Sequence, residues 1–96
     1  MTELRFEWDK RKNVANQRKH GVSFEEAQTV FFDDRALLRP DPDEAEDRFL
    51  LLGLSLALRA LVVCHCYREE DRVIRLISAR RASRSERAQY EERWKT

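Results

Sequence analysis

Hydrophobic residues fall along this chain in two rhythms, every second position in some stretches and three or four apart in others. In "LRFEW", Leu4, Phe6 and Trp8 recur with period two, which predicts a first strand. The next stretch, "KRKNVANQRKH", predicts a helix started by Asp9 as N-cap and stopped by Gly21. Val14 and Ala15 are its few apolar groups, so it either lies at a rim or turns a basic face to something. "SFEEA" then offers a capping box, with Ser23 as N-cap and Glu26 three residues on. Phe24, Ala27, Val30 and Phe31 follow at helical spacing and predict a second, amphipathic helix packed on a sheet. The Pro- and Asp-rich segment 33–47 reads as an exposed loop, with room for a short strand at Ala36–Arg39.

Two strands come next, "DRFLLLGLS" and "ALVVCHCYR", joined by a turn around Leu56–Arg59. "RVIRLISAR" makes the last strand after a turn in "EEDR". Ser83 and Glu86 form a second capping box, opening a helix through Trp94 whose contacts with the body are Ala82, Tyr90 and Trp94. Consecutive strands without intervening helices predict an α+β fold: a small antiparallel sheet packed by N-terminal helices and a C-terminal helix. With 96 residues, no repeat and no long linker, residues 1–96 read as a single domain. The longest apolar run, Phe49–Leu58, is broken by Gly53 and Ser55 and is too short for a membrane span. "MTELRFEWDK" lacks a secretory apolar segment, so the expectation is a cytoplasmic protein.

Charge changes this picture. The net charge is +1, but residues 1–24 carry +3, residues 25–66 carry −5 and residues 67–96 carry +3. If the two basic ends meet in space they form a patch suited to phosphates; if they do not, they are solvated helix surfaces. Arg75 interrupts the apolar alternation of the last strand, and Arg80 and Arg81 close it. Strict alternation places Val73, Arg75, Ile77 and Ala79 on one face and Ile74, Leu76, Ser78 and Arg80 on the other. The preceding strand adds His65 and Tyr67 on one face and Arg68 on the other, near Glu69 and Glu70. Cys64 and Cys66 flank His65; their sulfurs share a face, a disulfide between them would be strained, and two core fillers are the simpler reading than zinc.

Arginine grips phosphate with a planar fork and stays charged at every relevant pH. Cleavage of RNA by its own 2′-hydroxyl needs little more: a base for that hydroxyl, cations for the phosphate charge and an acid for the leaving 5′-oxygen. His65, His20, Glu69 or Tyr90 can move protons, and no metal is required. The plainer alternative for Arg75 is a salt bridge across the strands, to Glu7 or Asp47; for Arg80 and Arg81 it is a polar strand exit. The residues alone thus describe a phosphate-friendly α+β domain and leave the reaction open.

"FEWDKRKNVANQRKHGVSFEEAQTVF" (6–31) and "RVIRLISARRASRSERAQYE" (72–91) resemble the N- and C-terminal signatures of the BrnT family of toxins, and "DRFLLLGLS" resembles that family's central strand. The resemblance implies a RelE-like ribonuclease fold and the toxin half of a type II toxin–antitoxin system. It implies translation inhibition by RNA cleavage without metal or organic cofactor. It also implies a BrnA-type antitoxin partner with a ribbon-helix-helix-type DNA-binding region, the complex rather than the toxin alone binding promoter DNA. Mapped onto this chain, the catalytic expectations are Arg75, Arg80, Arg68 and His20, and the RNA-binding expectations are Lys19, Arg81, Lys12 and His65. Ser78, Glu86 and Tyr90 also fall on the pattern, Glu86 reading better as a cap and Tyr90 equally as core. One departure stands out: where the family has Gly before the turn arginine, this chain has Leu58, which predicts a different turn geometry. Besides the ribonuclease, two other readings stay open: a non-catalytic module binding nucleic acid or antitoxin, and a metal-binding regulator using "CHC".

Overall fold

A computed structural model describes residues 4–43 and 47–93. The elements run β1 (Arg5–Glu7), α1 (Lys10–His20), α2 (Phe24–Gln28), a 3₁₀ turn (Thr29–Phe32), β2 (Leu37–Pro40), β3 (Phe49–Leu54), β4 (Ala60–Arg68), β5 (Val73–Arg81) and α3 (Arg84–Glu92). The five strands form one sheet in the order β1-β5-β4-β3-β2. The α+β expectation holds, with one addition: β1 pairs in parallel with β5, so the sheet is mixed. β2–β3, β3–β4 and β4–β5 are antiparallel. No described helix is long and apolar enough to cross a membrane.

Each face of the sheet has its own core. On one, Leu51, Leu61, Val63, Ile74, Leu76 and Ala79 pack against Val22, Phe24, Ala27 and Val30 of the α1–α2 region. On the other, Leu52 and Val62 pack with Ala82 and Tyr90, so α3 covers only part of that face. Ala82 and Tyr90 are the contacts the sequence predicts; Trp94 lies outside the described residues. Gly53 is fixed by space, because a Cβ there would come within 2.8 Å of Val30 and 2.9 Å of Ala36.

The polar helix α1 is capped as expected: Arg11 N–H donates to Asp9 Oδ1 (2.8 Å), and Gly21 takes φ 69°. What anchors it is amide chemistry, since its buried residues are Asn13 and Asn16 while Val14 is exposed. The Asn16 side chain donates to the Ala79 carbonyl (2.8 Å) and accepts from the Ala79 N–H (3.1 Å). It therefore occupies the edge of β5 beyond the end of β1, in place of a neighbouring strand. Its amide also donates to the Val22 carbonyl at 2.8 Å.

Three local expectations are corrected. Ser23 caps α2, but Glu26 does not close a box; its carboxylate accepts from Ser55 Oγ (2.7 Å) and from Arg59 Nε (3.0 Å). Strict alternation on β5 fails at a bulge: Cys64 faces Ser78 and His65 faces Leu76, leaving Ile77 extra. Arg75 and Arg80 consequently lie on the same face, opposite the helices α1 and α2, instead of on opposite faces. Finally, the β3–β4 turn keeps the left-handed geometry that suits glycine, with Leu58 itself at φ 63°. Leu56 and Leu58 stand out of that turn, 81% and 77% exposed.

Candidate nucleic-acid interface

Because α3 stops short, the end of its sheet face that holds Arg68 and Arg75 stays open. There β5 sets Arg75 between Cys66 of β4 and Glu7 of β1. The Glu7 carboxylate accepts from Arg75 Nη1 at 2.6 Å, and Arg68 Nε lies 3.9 Å from the same oxygen. Lys12, from the first turn of α1, reaches the same place. Together with Asp47, Arg48, Cys66, Tyr67 and Ile77 these residues line an open groove of about 390 Å³. The Arg75–Glu7 bridge is the pairing anticipated as the plainer role of Arg75.

A guanidinium has five N–H donors, and Glu7 engages one at close range, so Arg75 retains donors for a phosphate oxygen. A phosphate entering between Arg68 and Arg75 would compete with Glu7 for the same cations. It would free the Glu7 carboxylate from its closest cation. Acceptor and cations are thus in place without rearrangement of the sheet.

The family model described as "Ribonuclease toxin, BrnT, of type II toxin-antitoxin system" matches residues 8–86. The chain belongs to the BrnT family. Its fold also matches the 1.1 Å crystal structure of the Brucella abortus ribonuclease toxin BrnT, with a TM-score of 0.68 and 24% identity. That match covers 85% of this chain and 100% of the Brucella chain. No curated protein sequence matches this one.

Within this BrnT-family chain the expected residues divide into groups. Arg68, Arg75 and Lys12 meet in the groove. Arg80 does not line it; its fork is bound to Glu86, with Nη1–Oε1 at 2.7 Å and Nη2–Oε2 at 2.9 Å. Glu86 closes the capping box on Ser83 as well, and Arg39 approaches it at 3.6 Å. The hydrogen bonds from Arg80 push the Glu86 carboxyl down to about 2. Lys19 and His20 sit in the last turn of α1, where positive charge complements the helix dipole. His20 lies eight residues beyond Lys12, about 12 Å along the axis, and is not brought to the groove. Arg81 is exposed at the end of β5 and adds to the positive field on Glu26.

His65 corrects the expectation of RNA contact. It is completely buried, ringed by Phe31, Phe49 and Tyr67 at 4.7, 6.2 and 5.2 Å between centroids. Burial pushes its pKa down, and the neutral ring fits both of its contacts, Nδ1–H donating to the Val63 carbonyl and Nε2 accepting from the Tyr67 hydroxyl. The "CHC" run cannot converge on a metal, since His65 faces the α1–α2 core while Cys64 and Cys66 face the other side. Cys64 is buried, and loss of solvation with the nearby Asp41 raises its thiol to about 11. Tyr90 is structural, donating to Asp33 Oδ2 at 2.6 Å, and Glu69 pairs with Arg5 at 2.5 Å. Glu7, offered by the sequence only as a salt-bridge partner, is set beside Arg75 by the parallel register of β1.

Proposed function

We propose that this chain is a metal-independent endoribonuclease toxin that acts in the cytoplasm and inhibits translation. The observation that carries the reading is the groove that Arg75, Arg68 and Lys12 line together, with the Glu7 carboxylate against the two guanidiniums. Arg75 and Arg68 bind the scissile phosphate and stabilise the charge that builds on its oxygens as the 2′-oxygen attacks phosphorus. Glu7, displaced from Arg75 by the phosphate, accepts the 2′-hydroxyl proton. The P–O5′ bond breaks, Lys12 donates a proton to the leaving oxygen, and the products are a 2′,3′-cyclic phosphate and a 5′-hydroxyl. Two guanidiniums and an ammonium supply the positive charge that a metal provides in other nucleases.

Family membership in a type II system supports an antitoxin partner. We assign that role to a BrnA-type protein with a ribbon-helix-helix-type region that carries the complex to promoter DNA and masks the groove cations. The test is controlled expression of the wild type, Arg75→Ala and Glu7→Gln, with growth, RNA ends and their chemistry recorded, and purified protein assayed with and without chelator. Arrest and new cyclic-phosphate ends with the wild type alone, unchanged by chelator, support the reading. Intact RNA from folded wild-type protein would instead favour a binding module. A cognate antitoxin that fails to co-purify on co-expression would remove the partner assignment.

A further inference from the structure

Around the end of the sheet from the cationic groove lies a second, larger cavity of about 560 Å³, lined by Phe49, Tyr67, Asp47 and Asp71. The two cavities share Asp47 and Tyr67, so they adjoin each other. Their chemistry is opposite. The groove offers Arg68, Arg75 and Lys12; the neighbouring cavity offers two aromatic rings and two carboxylates. The Phe49 and Tyr67 rings stand edge-to-face, 5.4 Å apart at 60°, and both are half-buried, with part of each surface left to the cavity. Tyr67 is held in place by His65, and Asp71 lies near enough to raise the Tyr67 hydroxyl pKa further, after burial itself.

We propose that this cavity receives the nucleobase beside the phosphate bound by Arg68 and Arg75, and that Asp47 and Asp71 make it selective for guanine. The inference rests on the ribonuclease reading for its substrate, and it adds the base. Aromatic faces take any base by stacking, so the rings give affinity without choice. Carboxylates repel phosphate, and Asp71, which lines the cavity alone, keeps the backbone on the groove side. They also accept two parallel hydrogen bonds, and the Watson–Crick edge of guanine alone presents two adjacent donors, N1–H and N2–H. Uracil offers a single imide donor between two carbonyls that a carboxylate repels. The pairing of a cationic groove with an anionic cavity thus fixes both register and base.

The experiment is titration of the purified full-length chain with GMP, AMP, CMP and UMP, followed by NMR, on the wild type, the Asp47→Asn/Asp71→Asn double variant and Phe49→Leu. Asp47 and Asp71 have φ 50° and 69°, a conformation asparagine tolerates as well as aspartate, so the double variant keeps both turns. Wild type should bind GMP about tenfold more tightly than UMP, and the double variant should lose that preference. Phe49→Leu should weaken all four nucleotides by about tenfold when compared well below the melting temperature of each variant. Equal binding of the four by the wild type, or a guanine preference that survives in the double variant, overturns the proposal. RNA end mapping separates the two readings. Nucleotide preference without cleavage keeps the pocket and removes the ribonuclease, whereas cleavage with no base bias does the reverse.

Discussion

Arg75 and Arg80 lie on the same strand and the same face of the sheet, and each grips a glutamate. They differ in what surrounds the pair. Glu86 belongs to a helix cap, is only 11% exposed at its side chain, and holds both arms of Arg80. Glu7 is 41% exposed, touches one nitrogen of Arg75, and opens onto a groove with further cations. A forked bridge inside a cap commits both terminal nitrogens of Arg80 to one carboxylate and ties α3 to β5. A single-point bridge at an open rim can be exchanged for a ligand. One sequence signal, arginine on a small sheet, has produced a guanidinium tied into a helix cap and one at an open groove, five positions apart.

The largest effect that would break this contrast is on activity. Arg75→Ala should lower RNA cleavage by about 10²–10³-fold, the loss typical of a main stabiliser of developing charge. Its melting temperature should hardly move, because exposed bridges contribute about 0–1 kcal/mol. Glu7→Gln should cut as slowly, yet bind RNA at least as tightly, since a negative charge has left the groove. Cleavage kinetics beside filter binding separates the two variants.

Arg80→Ala should show the opposite profile. It leaves the buried Glu86 carboxylate without its main partner, a cost of about 1–3 kcal/mol read by chemical denaturation. Remaining soluble enzyme should keep its rate per folded molecule. A rate loss as large as that of Arg75→Ala would erase the distinction between the pairs.

Acid sharpens it further. Glu86 titrates near 2 in the folded chain, below an unfolded glutamate near about 4.3. The folded-state value is depressed, so its stabilisation is complete above the unfolded value and is lost as pH falls toward about 2. Melting curves from pH 6 to 2.5 should therefore fall more steeply for the wild type than for Glu86→Gln. The smallest effect concerns Leu58, a leucine held at φ 63° with its side chain mostly in solvent. Leu58→Gly should stabilise the chain by about 1 kcal/mol at unchanged cleavage rate.

The elements were legible because period and caps are local. Asp9, Gly21, Ser23 and Ser83 act as expected, and the apolar strands lie where alternation puts them. The errors arose where one residue answers to distant partners. Glu26 abandons a local box for Ser55 and Arg59, and the bulge at Ile77 depends on the register of β4. Of the residues named from the sequence, Arg75, Arg68 and Lys12, picked out by charge and family pattern, line one groove. His65 was misplaced because a period-two reading gives its face but not its depth under Phe31 and Phe49. Glu7 needed the parallel pairing of β1 with β5, which no hairpin signal announces. Leu58 shows that a strained turn can persist when flanking pairs, here Ser55 with Arg59, fix it from both sides.

The Asn16 clasp on Ala79 has a consequence for timing. It joins positions 63 apart, and β1 likewise waits for β5 before it has a neighbour. Glu7 and Lys12 leave the ribosome among the first residues made, whereas Arg75 and the edge that receives Asn16 arrive in the last third of synthesis. Domains that fold during translation do so from the N-terminus as far as their contacts allow, and here the contacts allow little until β5 exists. A nascent chain that ends before Arg75 carries most of the residues that line the groove but not the strand that brings them together. The ribosome that builds this protein completes nearly all of it before there is a site to which its own message could be exposed.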